Sequence, residues 1–267
     1  CHNWPGTSLK MRAYALLDKL LLRKFDRVIA VSSKVRESLQ RWAISPDRID
    51  LIPNGVAVAP TPPTKAVQEG DRPLHLGMIG RLSHEKGPDI LIRALARAVK
   101  QLGGAHLVIA GDGPMRGELT ALANNLGLSE SITFLGFQKD VSKLYRTLDV
   151  VVLPSRNEGM PMVLLEAMAA AKALIATDVG EVARVVKTGI TGVVVPPNDV
   201  AALSEAIVWL AQNRDLREQI GRNSWDYALR SLSVEGMAAR YLEHFGAILG
   251  SASDRRLSPA LQPQKSV

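Results

Sequence analysis

From Leu74 onward, short apolar runs alternate with amphipathic stretches of helical period, and this alternation restricts the fold more than any single residue does. Strands are predicted at Leu74–Gly80, His106–Ala110, Ile132–Leu135, Val150–Leu153, Ala173–Ala176 and Gly192–Val195. Helical patterns fall at Asp89–Leu102, Met115–Leu126, Val141–Thr147, Pro161–Ala171, Glu181–Lys187 and Val200–Asn213. Strands separated by helices of this length imply right-handed βαβ units and a parallel sheet. The strand runs are mostly apolar throughout, as expected when helices cover both faces. The predicted fold class is α/β, a Rossmann-like parallel sheet.

Outside that block the pattern changes. Leu9–Phe25 and Lys34–Trp42 read as helices, with strands at Arg27–Val31 and Ile49–Ile52. Ala57–Arg72 is rich in Pro and Thr; Pro60, Pro62 and Pro63 exclude helix there. Two helices, Leu216–Ser231 and Val234–Leu249, follow the block. Ser251–Val267 is polar, contains Pro and lacks periodicity, so disorder is expected.

At 267 residues and 46% hydrophobic content the chain can build a full core. The net charge of +7 suits anionic partners: nucleoside diphosphates, a phospholipid surface or nucleic acid. Aromatic content of 4% offers few stacking platforms, and no nucleic-acid-reading motif is present, so no nucleic-acid partner is expected. The single cysteine, Cys1, excludes an intramolecular disulfide and fits a reducing compartment. No run of 18 apolar residues spans a membrane, and no signal peptide is evident. Leu9–Phe25 carries Lys10, Arg12, Lys19, Arg23 and Lys24 beside a stripe of Leu16, Leu17, Leu20 and Leu21. Such helices can lie on anionic lipid, although a domain helix with a wet basic face is the more ordinary reading.

Chemistry concentrates after strands. Arg81 and Lys86 follow the first strand of the block in a Gly-rich turn, where a helix N-terminus favours negative charge. Arg grips phosphate oxygens through a planar fork and Lys acts as a point charge, so the pair suits a diphosphate. Glu158 falls in a strand-to-helix turn and Glu166 on the second turn of the helix that follows. Acids at the carboxyl end of a strand can hold sugar or ribose hydroxyls. An unpaired carboxylate inside the apolar helix Met162–Met168 would be expensive, so Glu166 calls for a hydrogen-bonding partner.

Glu158 and Glu166 match the E-x7-E motif of the retaining, nucleotide-sugar-dependent glycosyltransferases of family 4. Gly80-Arg81-Leu82-Ser83-His84-Glu85-Lys86-Gly87 resembles that family's G-R-L-x-x-x-K-G loop, Gly111-Asp112-Gly113-Pro114 its G-x-G-P turn, and Ile52-Pro53-Asn54-Gly55-Val56 its interdomain crossing. The resemblance runs from about Cys1 to Leu249. It implies a GT-B fold: residues 1–53 as the remnant of an N-terminal, acceptor-side domain, 54–232 as the C-terminal nucleotide-sugar domain, 233–250 as a helix returning toward the N-terminal domain, and 251–267 as a disordered tail. A chain that opens on Cys1 and lacks a full N-terminal half reads as the later portion of a longer protein.

The resemblance implies roles residue by residue. Arg81, Lys86 and Gly80 face the leaving diphosphate, which two cations can neutralise without metal. Glu158 contacts the donor sugar, with the backbone N–H groups of Gly159 and Met160 beside it. Glu166 binds ribose, and Phe137 lies where nucleobase contacts run. Asp112 is equally a ligand contact or an ordinary turn residue. His2 is similar to the family's histidine that faces the anomeric carbon; a loop histidine near a chain end is the alternative. Ala171-Lys172-Ala173 departs from the usual G-x-P, and Glu181 and Arg184 depart from a G-G-x-x-E turn, which puts donor-sugar orientation and local packing in question.

The implied activity is transfer of a hexose from a UDP-sugar or GDP-sugar to a lipid-linked or polysaccharide acceptor with retention, in the cytoplasm or at the inner face of the plasma membrane. No cofactor and no metal are expected. No carboxylate pair looks like a double-displacement nucleophile with its acid, so the resemblance implies a front-face mechanism instead. A donor-binding module without activity of its own is the alternative, because acceptor binding belongs to the N-terminal domain. An NAD-dependent oxidoreductase lacks its G-x-G-x-x-G, for which Gly77-Met78-Ile79-Gly80 does not substitute.

Overall fold

The computed structural model describes residues 9–63 and 73–256. Helix α1 (Leu9–Leu22), strand β1 (Val28–Ala30), helix α2 (Ser33–Arg41) and strand β2 (Ile49–Leu51) form a small first unit. The main block follows with β3 (Leu74–Ile79), α3 (Pro88–Leu102), β4 (Ala105–Ala110), α4 (Arg116–Asn125), β5 (Ile132–Gly136) and α5 (Ser142–Thr147). It continues through β6 (Val150–Leu153), α6 (Met162–Ala169), β7 (Ala173–Thr177), α7 (Val182–Val185), β8 (Val193–Val195), α8 (Val200–Gln212) and α9 (Arg214–Ser231), and α10 (Val234–Arg256) closes the chain.

Strands β3 to β8 form one six-stranded sheet in the order β5-β4-β3-β6-β7-β8, and every neighbouring pair is parallel. After β3 the chain builds outward to β5, then returns to add β6 on β3's other side. This makes β3/β6 the topological switch point, the place on the carboxyl edge where open α/β sheets bind their ligands. The order does not follow from hydrophobic pattern, which fixes where strands fall and not which strands pair.

The predicted strands stand within a residue of their expected bounds. Their apolar character has the expected cause: Val150 and Val152 pack into one core with α3 and α8, while Val151 and Leu153 pack into a second with α6 and α9. Each fully buried side chain such as Leu76, Leu95 or Leu107 contributes roughly 1.5–3 kcal/mol. Gly77 is needed inside β3, because a Cβ there would meet Leu148 Cδ1 at 2.1 Å.

Three expectations are corrected. The helix predicted over Glu181–Lys187 is a single turn, Val182–Val185, because the β-branched Val186 leaves the helical region (φ −93°, ψ 123°). Helix α10 runs on to Arg256, past the expected start of a disordered tail at Ser251; no Pro interrupts it before Pro259. Residues 257–267 lie outside the described residues. In α1 the stripe of Leu16, Leu17, Leu20 and Leu21 is exposed rather than turned inward, since the two-stranded sheet offers little to cover it, while Leu22 packs on the small core.

Candidate functional site

The loops at the carboxyl edge are locked by backbone contacts that explain the glycines. Gly80 N donates to Ala110 O at 2.9 Å, Leu82 N to Asp112 O at 2.9 Å, and Gly111 N to Gly136 O at 2.8 Å. A Cβ on Gly111, at φ 141°, would sit 1.9 Å from Gly80 O, and one on Gly113 would sit 2.4 Å from Leu82 O. The G-x-G-P turn therefore serves to press the loop after β4 against the loop after β3. Asp112 caps its own turn, accepting from Gly113 N at 2.7 Å, and is exposed.

After β3 the chain makes a short 3-10 turn, His84–Lys86, ended by Gly87 in the left-handed conformation. A Cβ on Gly87 would lie 2.1 Å from Pro154 O, so the turn touches the loop after β6. This brings Lys86 and Glu158 together across the switch point: Nζ to Oε1 is 2.5 Å. Ser155 Oγ donates to the same carboxylate oxygen at 2.8 Å. Glu158 is 9% exposed and Lys86 32%, so the pair is desolvated on one side and open on the other. Arg81 is exposed in the same loop. A Cβ on Gly159 would meet no protein atom within 4 Å, so the backbone there faces open space. Met160 is half-buried beside it.

Glu166 belongs to different surroundings. Tyr145 Oη on α5 donates to its Oε2 at 2.9 Å, so this carboxylate already has the partner that an apolar helix seemed to deny it. The expectation that Glu166 has a hydrogen-bonding partner is met within the protein, by Tyr145. Burial, then the carboxylate itself, hold the Tyr145 hydroxyl's pKa well above the phenolic range, so it remains a donor. Both side chains line a cleft of about 490 Å³ between α5, α6 and the segment around Val56. Phe137 is 77% exposed just beyond β5, upstream of Lys139 and Asp140, which also line this cleft. The site residues thus fall in two places: the Lys86–Glu158 pair with exposed Arg81 at the switch point, and the apolar-walled cleft at Glu166. His2 lies outside the described residues.

The departures from the family pattern have structural explanations. Gly180, at φ 61°, is retained where a Cβ would strike Glu158 O and Gly159 O, both at 2.4 Å. Glu181 is buried; it accepts from Lys34 N at 3.1 Å and pairs with Arg184 at 3.2 Å. Arg184 also bonds Ser33 Oγ. Lys172 is buried with its Nζ donating to Leu148 O at 3.0 Å. Tyr145, Ser155 and Arg156 were not singled out from sequence. Ser155, three residues before Glu158 in the same turn, carried the only local signal.

Among the described residues no group of three or more His, Cys, Asp or Glu could hold a metal ion, and no helix is long and apolar enough to cross a membrane.

Comparison with known proteins agrees with this architecture. Residues 64–226 match the family model for glycosyl transferases group 1, and residues 1–59 match that for glycosyltransferase family 4. The chain is 32% identical over 257 residues to a lipopolysaccharide core biosynthesis mannosyltransferase, LpcC, of Rhizobium leguminosarum bv. viciae, covering 91% of this chain and 71% of that protein. It is 29% identical to a D-inositol 3-phosphate glycosyltransferase of Nocardia farcinica, covering 89% of this chain and 58% of that one. Among solved structures, Anabaena Alr3699/HepE in complex with UDP and glucose superposes with a TM-score of 0.79 at 23% identity, over 92% of this chain and 70% of that chain. The chain thus spans between about six-tenths and about seven-tenths of the length of these relatives. The sheet order, the Lys86–Glu158 pair at the switch point and these matches lead to one conclusion: the chain belongs to the glycosyl transferases group 1 family, with a GT-B type of Rossmann domain.

Proposed function

We propose that the protein transfers a hexose from a nucleoside-diphosphate sugar, a UDP-sugar or GDP-sugar, to a lipid-linked or glycan acceptor, with retention at the anomeric carbon. The observation that carries this reading is the Lys86–Glu158 contact across the switch point, with Arg81 exposed in the same loop. A cation held against a carboxylate at the carboxyl edge of the sheet has a ready exchange: the ammonium turns to diphosphate oxygens, and the carboxylate turns to sugar hydroxyls. As the glycosidic bond stretches, charge grows on the leaving diphosphate, and positioned cations stabilise it without reorganising. Arg81 and Lys86 are assigned that work, with no metal required. Glu158 and the Gly159 and Met160 backbone hold the sugar, and Glu166 holds the ribose from the apolar-walled cleft. The mannosyltransferase name of the Rhizobium relative and the UDP bound to the Anabaena protein support a nucleotide-sugar donor. The single cysteine and the basic charge fit a cytoplasmic enzyme working at an anionic membrane face.

The test is thermal unfolding of the chain with UDP, GDP, ADP, UDP-glucose, GDP-mannose and NAD, without added metal. A ligand at a hundred times its dissociation constant adds about 2.7 kcal/mol. One nucleoside diphosphate and its sugar are expected to stabilise the parent, and Lys86→Ala to lose most of that gain. Stabilisation by NAD alone, or equal stabilisation of parent and Lys86→Ala, overturns the reading. Binding without transfer to any acceptor would make the chain a donor-binding module.

A further inference from the structure

We propose that Arg156 is a positioning residue, a three-loop clamp that fixes Lys86 and Glu158 relative to one another while their side chains exchange each other for the donor. The proposal rests on the roles proposed above for Lys86 and Glu158.

Arg156 precedes Glu158 by two residues in the loop after β6. Its Nη1 and Nη2 grip both oxygens of Asp89, at 2.9 and 2.7 Å. Nη1 also donates to His84 O at 2.7 Å, and Nε donates to Asn198 Oδ1 at 2.8 Å. Its backbone N–H donates to Glu85 O at 2.7 Å. The partners come from separate places at the carboxyl edge of the sheet. His84 and Glu85 form the 3-10 turn that carries Lys86, and Asp89 opens α3. Asn198, itself left-handed at φ 63°, belongs to the loop after β8. One guanidinium therefore ties the loops after β3, β6 and β8.

The side chain is not arranged to bind a ligand directly. It is 17% exposed, Asp89 is 20% exposed, and each of the three guanidinium nitrogens donates to a protein acceptor, four bonds in all. A planar fork that meets a carboxylate bidentately and a carbonyl at the same time is a task for Arg that Lys cannot perform. The Lys86–Glu158 contact itself cannot hold the two loops while donor is bound, because donor binding breaks it. The Arg156 clamp can, because none of its bonds involves either group.

The test is a double-mutant cycle on nucleotide affinity, measured by calorimetry with UDP and GDP on the whole chain. Arg156→Lys is expected to weaken the bound nucleotide by about tenfold. In a Lys86→Ala background the same change is expected to cost less than about twofold, since a positioning residue has nothing left to position. A residue that merely stabilises the fold would give the same loss in both backgrounds, and that result, or no loss in either, overturns the clamp. If Arg156→Lys fails to fold, Asn198→Ala removes one strap and leaves the Asp89 pair. Its smaller loss is expected to show the same dependence on Lys86, and an equal loss in both backgrounds refutes the proposal. The two readings fail differently. Lys86→Ala without effect, or a parent that binds neither nucleotide, refutes the donor site and the clamp with it. Lys86-dependent binding that is indifferent to Arg156 refutes the clamp alone.

Discussion

Ala171 occupies the turn between α6 and β7 with φ at 54°, a conformation that L-residues avoid because Cβ crowds the following carbonyl. The turn cannot relax outward, since its carbonyl already lies where a Cβ on Gly221 would come within 2.3 Å. The left-handed conformation costs an alanine about 1–2 kcal/mol, and glycine returns part of that as extra freedom in the unfolded chain. Ala171→Gly is therefore expected to stabilise the protein by about 0.5–1 kcal/mol in urea unfolding, with an unchanged m-value. A loss of stability would mean that the alanine methyl packs better than its backbone suffers. This position was legible in the sequence, because Ala171 stands where the family usually has glycine. Glu166 was only half legible. A carboxylate within an apolar helix announces that it needs a partner, but the partner is Tyr145, 21 residues away on a helix whose contact with α6 no local pattern encodes.

At the scale of elements, the strands could be read from the sequence because apolar runs of strand length bounded by Gly and Pro have one comfortable fate between layers of helix. The joints between elements could not. Arg156 reads as one more basic loop residue, yet 67 residues earlier Asp89 waits for it at the start of α3. That pair also sets a pH response. Burial by itself would raise the Asp89 pKa, but the hydrogen bonds and charge of Arg156 outweigh it and hold the carboxyl below its ordinary value of 3.8. A depressed value means that the folded state binds the proton less well than the unfolded chain does. The pair's contribution is then fully present above the unfolded value and is lost as pH falls through the folded one. The stability gap between the parent and Asp89→Asn is accordingly expected to be constant from about pH 7 to 5 and to shrink below about pH 4. A gap that holds steady down to pH 2.5 in denaturant titrations would show that Asp89 stabilises through something other than its charge.

At the scale of the whole molecule, three joints among the described residues link the small first unit and the crossing to the six-stranded block and its closing helix. The first is the crossing at Val56, whose N–H donates to Leu232 O at 2.8 Å and whose carbonyl accepts from Val234 N at 2.9 Å. Gly55 permits this, because a Cβ there would press within 2.8 Å of Ser233 O. The second is α10, which returns His244 to within 3.4 Å of Asp50 on β2. The sequence motif and the last helix foretold both. The third was unforeseen: Glu181, buried in the block, accepts the backbone N–H of Lys34 in the first turn of α2. Early helix N–H groups lack intrahelical acceptors, and supplying one stabilises a helix by roughly 0.5–2 kcal/mol. Here the acceptor comes from the other unit, so the cap also ties the units together beside the loop that carries Glu158. Glu181→Ala should then loosen α2 and leave the main sheet intact. In amide hydrogen exchange, peptides spanning residues 33–41 are expected to exchange several-fold faster than in the parent, and peptides from β3, β4 and β6 at the parent rate. Faster exchange everywhere would mean that Glu181 supports the block itself. No change in α2 would mean that Ser32, which accepts from Val35 N at 3.1 Å, caps the helix well enough alone. Selective loosening would show that the residue replacing a family glycine has taken on a joint between the two units, beside the loop that carries Glu158, where its own N–H donates to Gly159 O at 3.0 Å.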